Sequence, residues 1–164
     1  MLVELQHISK HFGIEYLFED ITLQLISPAA WAILGNNGSG KSTLLQIIAG
    51  YMLPTTGSIT YSIQGHMVSN EKIFQHLSFC SPSMEIIEEF TLIEFLTYHF
   101  SFKKTNHTIK HIIDFIGLQE ATNKRIVHFS SGMKQRVKLA QAFFADTEML
   151  LLDEPCTNLD EKGI

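Results

Sequence analysis

The sequence predicts an α/β fold organised around a phosphate-binding loop, on three observations. The stretch Gly35-Asn36-Asn37-Gly38-Ser39-Gly40-Lys41-Ser42, followed by Thr43, fits the pattern of glycine, four residues, then Gly-Lys-Ser. An apolar run at 30–34 precedes it, and a helical pattern at 42–49 follows it. A second apolar run, Met149–Leu152, ends on two carboxylates, Asp153 and Glu154. In a parallel sheet, ligands bind at that carboxyl edge of the strands.

Each part of the loop has a physical task. The run AWAIL at 30–34 is expected to be a buried strand that delivers the chain to it. Gly35, Gly38 and Gly40 let the backbone come close to a ligand, so that its N–H groups turn inward around phosphate oxygens. The helix at 42–49, stopping at Gly50, adds the partial positive charge of its N-terminus. Lys41 is expected to reach the β- and γ-phosphates, and the Ser42 hydroxyl to ligate magnesium. Gly35, Asn36, Asn37, Gly38, Ser39, Gly40, Lys41, Ser42 and Thr43 are therefore candidate nucleotide contacts. Asp153 is expected to hold magnesium, directly or through water, and Glu154 to polarise the attacking water as general base.

Composition limits the rest. A chain of 164 residues, 45% hydrophobic, suffices for one globular core, with room for a subdomain. A net charge of −5 argues against a surface that coats nucleic acid, and no such partner is expected. Cys80 and Cys156 form neither a CxxC pair nor a disulfide framework, which fits a reducing cytosol. Residues 1–10 lack the apolar core of a signal peptide, and no apolar run approaches the roughly 18 residues of a membrane span. The chain is thus expected to be soluble, any membrane role coming through a partner.

Along the chain, residues 2–25 read as antiparallel β, with alternation at 2–8 and 21–25 and a turn at Gly13. Pro54-Thr55-Thr56-Gly57 is a turn cluster before a strand at 57–61. Gln64-Gly65-His66 is a further turn, and 77–80 a short strand. Helical spacing then takes over. Thr91 is a cap for a helix at 91–100 with Glu94 three residues on, 109–116 stops at Gly117, and another helix runs from about Gly132 to Phe144.

With these motifs in place, the chain resembles the ATP-binding subunit of an ABC transporter. GNNGSGKST, LLLDEP and Thr157-Asn158-Leu159-Asp160 match that family's Walker A, Walker B and D-loop. Phe129-Ser130-Ser131-Gly132-Met133, with Lys134-Gln135-Arg136 after it, falls where the family carries its LSGGQ signature. Phe12 falls where the family places an aromatic that stacks on adenine, core packing being its rival role. The resemblance implies a P-loop NTPase with a RecA-like core, an N-terminal antiparallel β subdomain and an inserted helical subdomain. It implies one ATP-binding domain over 1–164, divided into β subdomain and P-loop core (1–81), helical subdomain (82–128), and signature, Walker B and D-loop (129–164).

The resemblance also implies a mechanism. ATP and Mg2+ are the cofactors, and Ser130 with the N–H groups of Ser131 and Gly132 covers the γ-phosphate held by a second subunit. Two nucleotides are then sandwiched in a homo- or heterodimer, and hydrolysis reopens it. The work drives a transmembrane permease, placing the chain at the cytoplasmic face of the membrane. A soluble ABC-type ATPase is one alternative, and an ATP-gated binding module with little turnover is another.

Three departures from the family pattern stand out. Ser131 and Met133 replace a Gly and the Gln of the signature. Pro82 stands nine residues before Thr91, where the family's Q-loop glutamine belongs, with Ser81 and Ser83 as weak substitutes. The sequence also ends past the D-loop, before a switch histidine, as a truncated family member would. Outside the motifs, His107 and His111 have the spacing of a metal pair or of a solvated helix face. Tyr98, His99, Phe100 and Phe102 are a docking stripe or core, and Glu85, Glu88 and Glu89 a patch for a basic helix or a solvated turn. Cys156 is expected to pack as a small apolar residue.

Overall fold

The computed structural model describes residues 1–157 and 159. Asn158 and Asp160 of the expected D-loop lie outside the described residues. The chain divides into two compact units, Met1–Leu77 and the part from Ser78 onward.

In the first unit, β1 (Leu2–Phe12) and β2 (Glu15–Ile26) form a hairpin turning at Gly13, with Leu2 opposite Ile26 and Phe12 opposite Glu15. β3 (Thr56–Ile63) runs antiparallel along the other edge of β1, and β4 (His66–Val68) folds back on β3. The resulting order is β2-β1-β3-β4. The period-two pattern of the first strand buries Val3 and Leu5 on one face of the sheet. The register then slips between Leu5 and Ile8, leaving a bulge at His7. Gly57 permits that bulge: a Cβ there would lie 2.4 Å from the His7 carbonyl oxygen.

Helix α1 (Lys41–Ile48) buries Leu44, Ile47 and Ile48. Tyr61 on β3 fastens it, its hydroxyl donating to the Ile48 carbonyl at 3.0 Å. Burial pushes that phenol up to about 12. The expected strand at 30–34 is not formed. Neither sheet of the described residues includes it, and Trp31 and Leu34 are 58% and 89% exposed. Apolar character suits a segment to a sheet, but a strand exists only where a neighbour takes up its N–H and C=O groups.

In the second unit, β5 (Leu77–Cys80) pairs with β6 (Met149–Leu152). Ser78 meets Thr147 at one end (Oγ to Oγ1, 3.0 Å), and at the other the Asp153 N–H donates to the Cys80 carbonyl at 2.8 Å. The two strands therefore run in the same direction. β5 is buried throughout, whereas on β6 only Leu151 is buried and Leu150 and Leu152 are 38% and 39% exposed. The expectation of a fully buried strand is corrected to a half-buried one, since period two places 150 and 152 on the face opposite 151.

Three helices build the core of this unit. α2 (Leu92–Phe102) opens with a complete capping box, the Thr91 hydroxyl accepting from the Glu94 N–H and the Glu94 carboxylate from the Thr91 N–H. The Thr91 N–H and, after it, the Thr91 hydroxyl donate to that carboxylate and hold it below its ordinary range. α3 (Ile109–Phe115) ends at Gly117, and Arg136 of α4 (Ser131–Phe143) donates to the Ile116 carbonyl at 3.0 Å. Leu92, Leu96, Ile112, Ile126 and Val137 are fully buried between them. His99 turns inward and donates from Nε2 to the Gln141 carbonyl at 3.1 Å, while Phe102 is exposed. Among the described residues, no helix is long and apolar enough to cross a membrane.

Candidate functional site

The loop at 35–43 is shaped by its backbone. Gly38 and Gly40 have φ of +81° and +89°, a region that strains any residue with a side chain. Gly40 is also the N-cap of α1, and a Cβ there would sit 2.8 Å from the side chains of Leu17 and Phe18 on β2. Glycine is required twice over: by torsion and by space. The Ser39 N–H donates to the Asn36 carbonyl at 3.2 Å, closing the turn. The Lys41 ammonium donates to the carbonyls of Gly35 at 2.9 Å and Asn36 at 2.8 Å, so its charge is held at the loop it belongs to. No acidic residue stands in the first turn of α1. A helix start with no acidic residue in its first turn, beside a fixed ammonium, suits an anion. Phe12 lies at the tip of the β1–β2 hairpin, 56% exposed, with the Lys10 ammonium 5.0 Å from its ring centre.

The strand ends of the second unit carry the acids. Asp153 is buried, its Oδ2 accepting from the Ser81 hydroxyl at 3.2 Å. Glu154 is exposed and left-handed, with φ of +43°, a strained backbone of the kind found where geometry serves a site. Its carboxylate accepts from the Thr157 hydroxyl at 3.2 Å. Burial pushes the Cys80 thiol up to about 11, so it stays protonated and unreactive.

Ser130 caps α4, its Oγ accepting from the Met133 N–H at 3.2 Å, with Ser131 and Gly132 as the first helical residues. From the same helix the Gln135 carboxamide donates to the Pro155 carbonyl at 3.0 Å and the Lys138 ammonium to the Pro82 carbonyl at 2.7 Å. One helix thus joins the Ser-Ser-Gly cap to both strand ends. Beside it lies a groove of about 860 Å³, lined among others by Glu85, Glu88, Glu89, Arg125, Lys134 and Lys138. Glu88 pairs with Lys134 at 2.6 Å.

A family model described as ABC transporter matches residues 18–157. The chain belongs to the ABC transporter family. It is 30% identical to the Bacillus subtilis (strain 168) ABC transporter ATP-binding protein YybJ, over 99% of this chain and 75% of that one. It is 32% identical to the taurine import ATP-binding protein TauB of Roseobacter denitrificans, over 87% of this chain and 53% of the relative. A solved ATP-binding subunit of an ABC transporter superposes with a TM-score of 0.82 at 27% identity, covering 98% of this chain and 69% of that one. The chain therefore spans from about half to three quarters of the length of these relatives. Its fold is that of the ABC ATPase domain, a P-loop NTPase of mixed α/β type.

The candidate residues of this ABC domain fall into two groups, one in each unit. Phe12 and the loop at 35–43 belong to the first, and Ser130, Ser131, Gly132, Asp153 and Glu154 to the second. Ser81, Lys138 and Gln135 were not singled out for the roles their bonds give them. The sequence marks Ser81 only as a weak substitute for the Q-loop glutamine and Gln135 only as part of the stretch after the signature, and gives no sign of Lys138. His107 and His111 stack with ring centres 5.1 Å apart against Phe144, and the described residues hold no group of three metal-ligating side chains. Cys156 is exposed, contrary to the packing role expected of it.

Proposed function

We propose that the chain binds ATP with magnesium at the loop 35–43 and hydrolyses it to power a separate transmembrane permease. The observation that carries this reading is the loop itself, with left-handed Gly38 and Gly40 and the Lys41 ammonium fixed on the Gly35 and Asn36 carbonyls. Backbone N–H groups and Lys41 bind and orient the phosphates, and Phe12 offers a face for the base. The Ser42 hydroxyl and the Asp153 carboxylate are each the kind of oxygen donor that would hold magnesium, and their chemistry fits a hard cation. When bound, that ion neutralises charge on the phosphates. Glu154 accepts a proton from the attacking water. The cap at Ser130, Ser131 and Gly132 meets the nucleotide of a second copy or a homologous subunit, giving the ATP-dependent dimer. The groove beside α4, lined by both acidic and basic side chains, is the surface offered to the permease, which keeps the chain at the cytoplasmic face of the membrane.

A second reading, an ATP-gated module with little turnover, is favoured by Pro82, which supplies a carbonyl to Lys138 and no polar side chain. Equilibrium dialysis with labelled ATP and magnesium tests the common part: the chain retains nucleotide, and Lys41→Ala loses it. Retention by neither protein refutes both readings. Phosphate release that Glu154→Gln abolishes selects the first, and retention without release selects the second.

A further inference from the structure

We propose that Ser81 is a positioning residue for Asp153, setting the direction in which that carboxylate meets a divalent cation; the inference rests on the reading of Asp153 as a magnesium donor. Ser81 is 1% exposed and sits one residue beyond β5, as Asp153 sits one residue beyond β6. Its Oγ donates to Asp153 Oδ2 at 3.2 Å, and the Asp153 N–H is held by the Cys80 carbonyl at 2.8 Å. The backbone N–H and one carboxylate oxygen of Asp153 are thus held by adjacent residues of one strand end.

The donor is itself fixed. Ser81 Oγ lies 2.9 Å from the Ser83 hydroxyl and accepts from the Ser83 N–H at 3.4 Å. Pro82 between them has a locked φ, and its carbonyl is held by Lys138 at 2.7 Å. A hydroxyl rotor lying in the open would gain little from a carboxylate and lose it readily to water. Buried and held on both sides, it gives the acid one orientation. A hydroxyl also brings no charge, so it orients Asp153 without competing with a cation for its charge. Groups that orient a metal-binding carboxylate in this way change metal affinity by about 10–100-fold when removed.

The experiment measures the affinity of the full chain for a fluorescent ATP analogue, once in EDTA and once in magnesium. The quantity of interest is the gain that magnesium gives. Ser81→Ala is expected to reduce that gain by about tenfold or more while leaving the affinity in EDTA unchanged. Ser81→Cys, which keeps the volume but donates weakly, guards against collapse at the buried site and shifts the gain in the same direction. Ser83→Ala, which leaves the Ser81 hydroxyl in place, gives a smaller fall, and Asp153→Asn removes the gain.

A full magnesium gain in Ser81→Ala beside its loss in Asp153→Asn overturns the proposal and leaves the functional reading standing. So does an equal loss with and without magnesium, which marks a purely structural hydroxyl. A wild-type chain that binds no nucleotide, or gains nothing from magnesium, overturns the functional reading and this proposal with it.

Discussion

The loop at 35–43 and the strand ends at 80–83 and 152–155 are built by opposite means. The loop is a matter of backbone, shaped by two left-handed glycines, one helix start and a lysine folded onto carbonyls five and six residues away. The strand ends are a matter of side chains that arrive from far along the sequence. Ser81 reaches Asp153 across 72 positions, and Lys138 reaches Pro82 across 56. A site made from local backbone is specified within a short stretch of sequence. A site made from distant side chains forms only if the surrounding fold does. The difference teaches that anion binding and acid placement can fail separately.

The largest effect expected is on the local site. Gly40→Val puts a β-branched side chain at φ of +89° and within 2.8 Å of Leu17 and Phe18, costing roughly 3 kcal/mol from strain and overpacking together. Hydrogen exchange should show α1 amides losing protection and nucleotide retention lost, with the amides of α4 as protected as before. If α4 loosens equally, the two sites are not independent. The counterpart is Gln135→Leu, which removes the buried donor to the Pro155 carbonyl. A cost of about 1–2 kcal/mol is expected, seen as faster exchange at 153–157 with the amides at 39–48 unchanged.

The same contrast decides what could be read in advance. The glycine-lysine loop, the Thr91–Glu94 box, the Ser130 cap and the helix stops at Gly50 and Gly117 are each written within about one helical turn of sequence, because the torsion or bond that matters is that short. AWAIL at 30–34 shows where such reading ends. Its apolar content says that it suits a sheet, but a ladder needs a partner, and no residue within the run names one. The half-exposure of β6 has the same origin, since MLLL contains no polar residue to mark which face is covered. Ser81 was visible as a residue after a strand. Its tie to Asp153 depends on β5 and β6 lying side by side, which their separate patterns do not encode.

Smaller effects sharpen the contrast inside the second unit, where one device is local and another is not. Thr91→Ala removes the hydroxyl of the capping box and should lower stability by about 1 kcal/mol at any pH between 6 and 8, measured by urea unfolding. His99 depends on packing from a helix 42 positions away, and its effect is confined to acid. Burial lowers its pKa, followed by smaller opposing influences from the Gln141 carbonyl, which raises it, and Lys103, which lowers it. The folded state therefore favours the neutral ring more than the unfolded chain does. The stability this contributes is present above the unfolded value of about 6.5 and is lost as pH falls through the lowered folded value. Unfolding curves at pH 7.5 and 5.5 should show a fall in stability toward acid. His99→Gln, which keeps a donor for the Gln141 carbonyl but cannot take a proton, should make that fall shallower. An equally steep fall in the variant would mean that the ring is wetter than its partners suggest, and that the packing of α2 on α4 is looser than the capping box that starts α2.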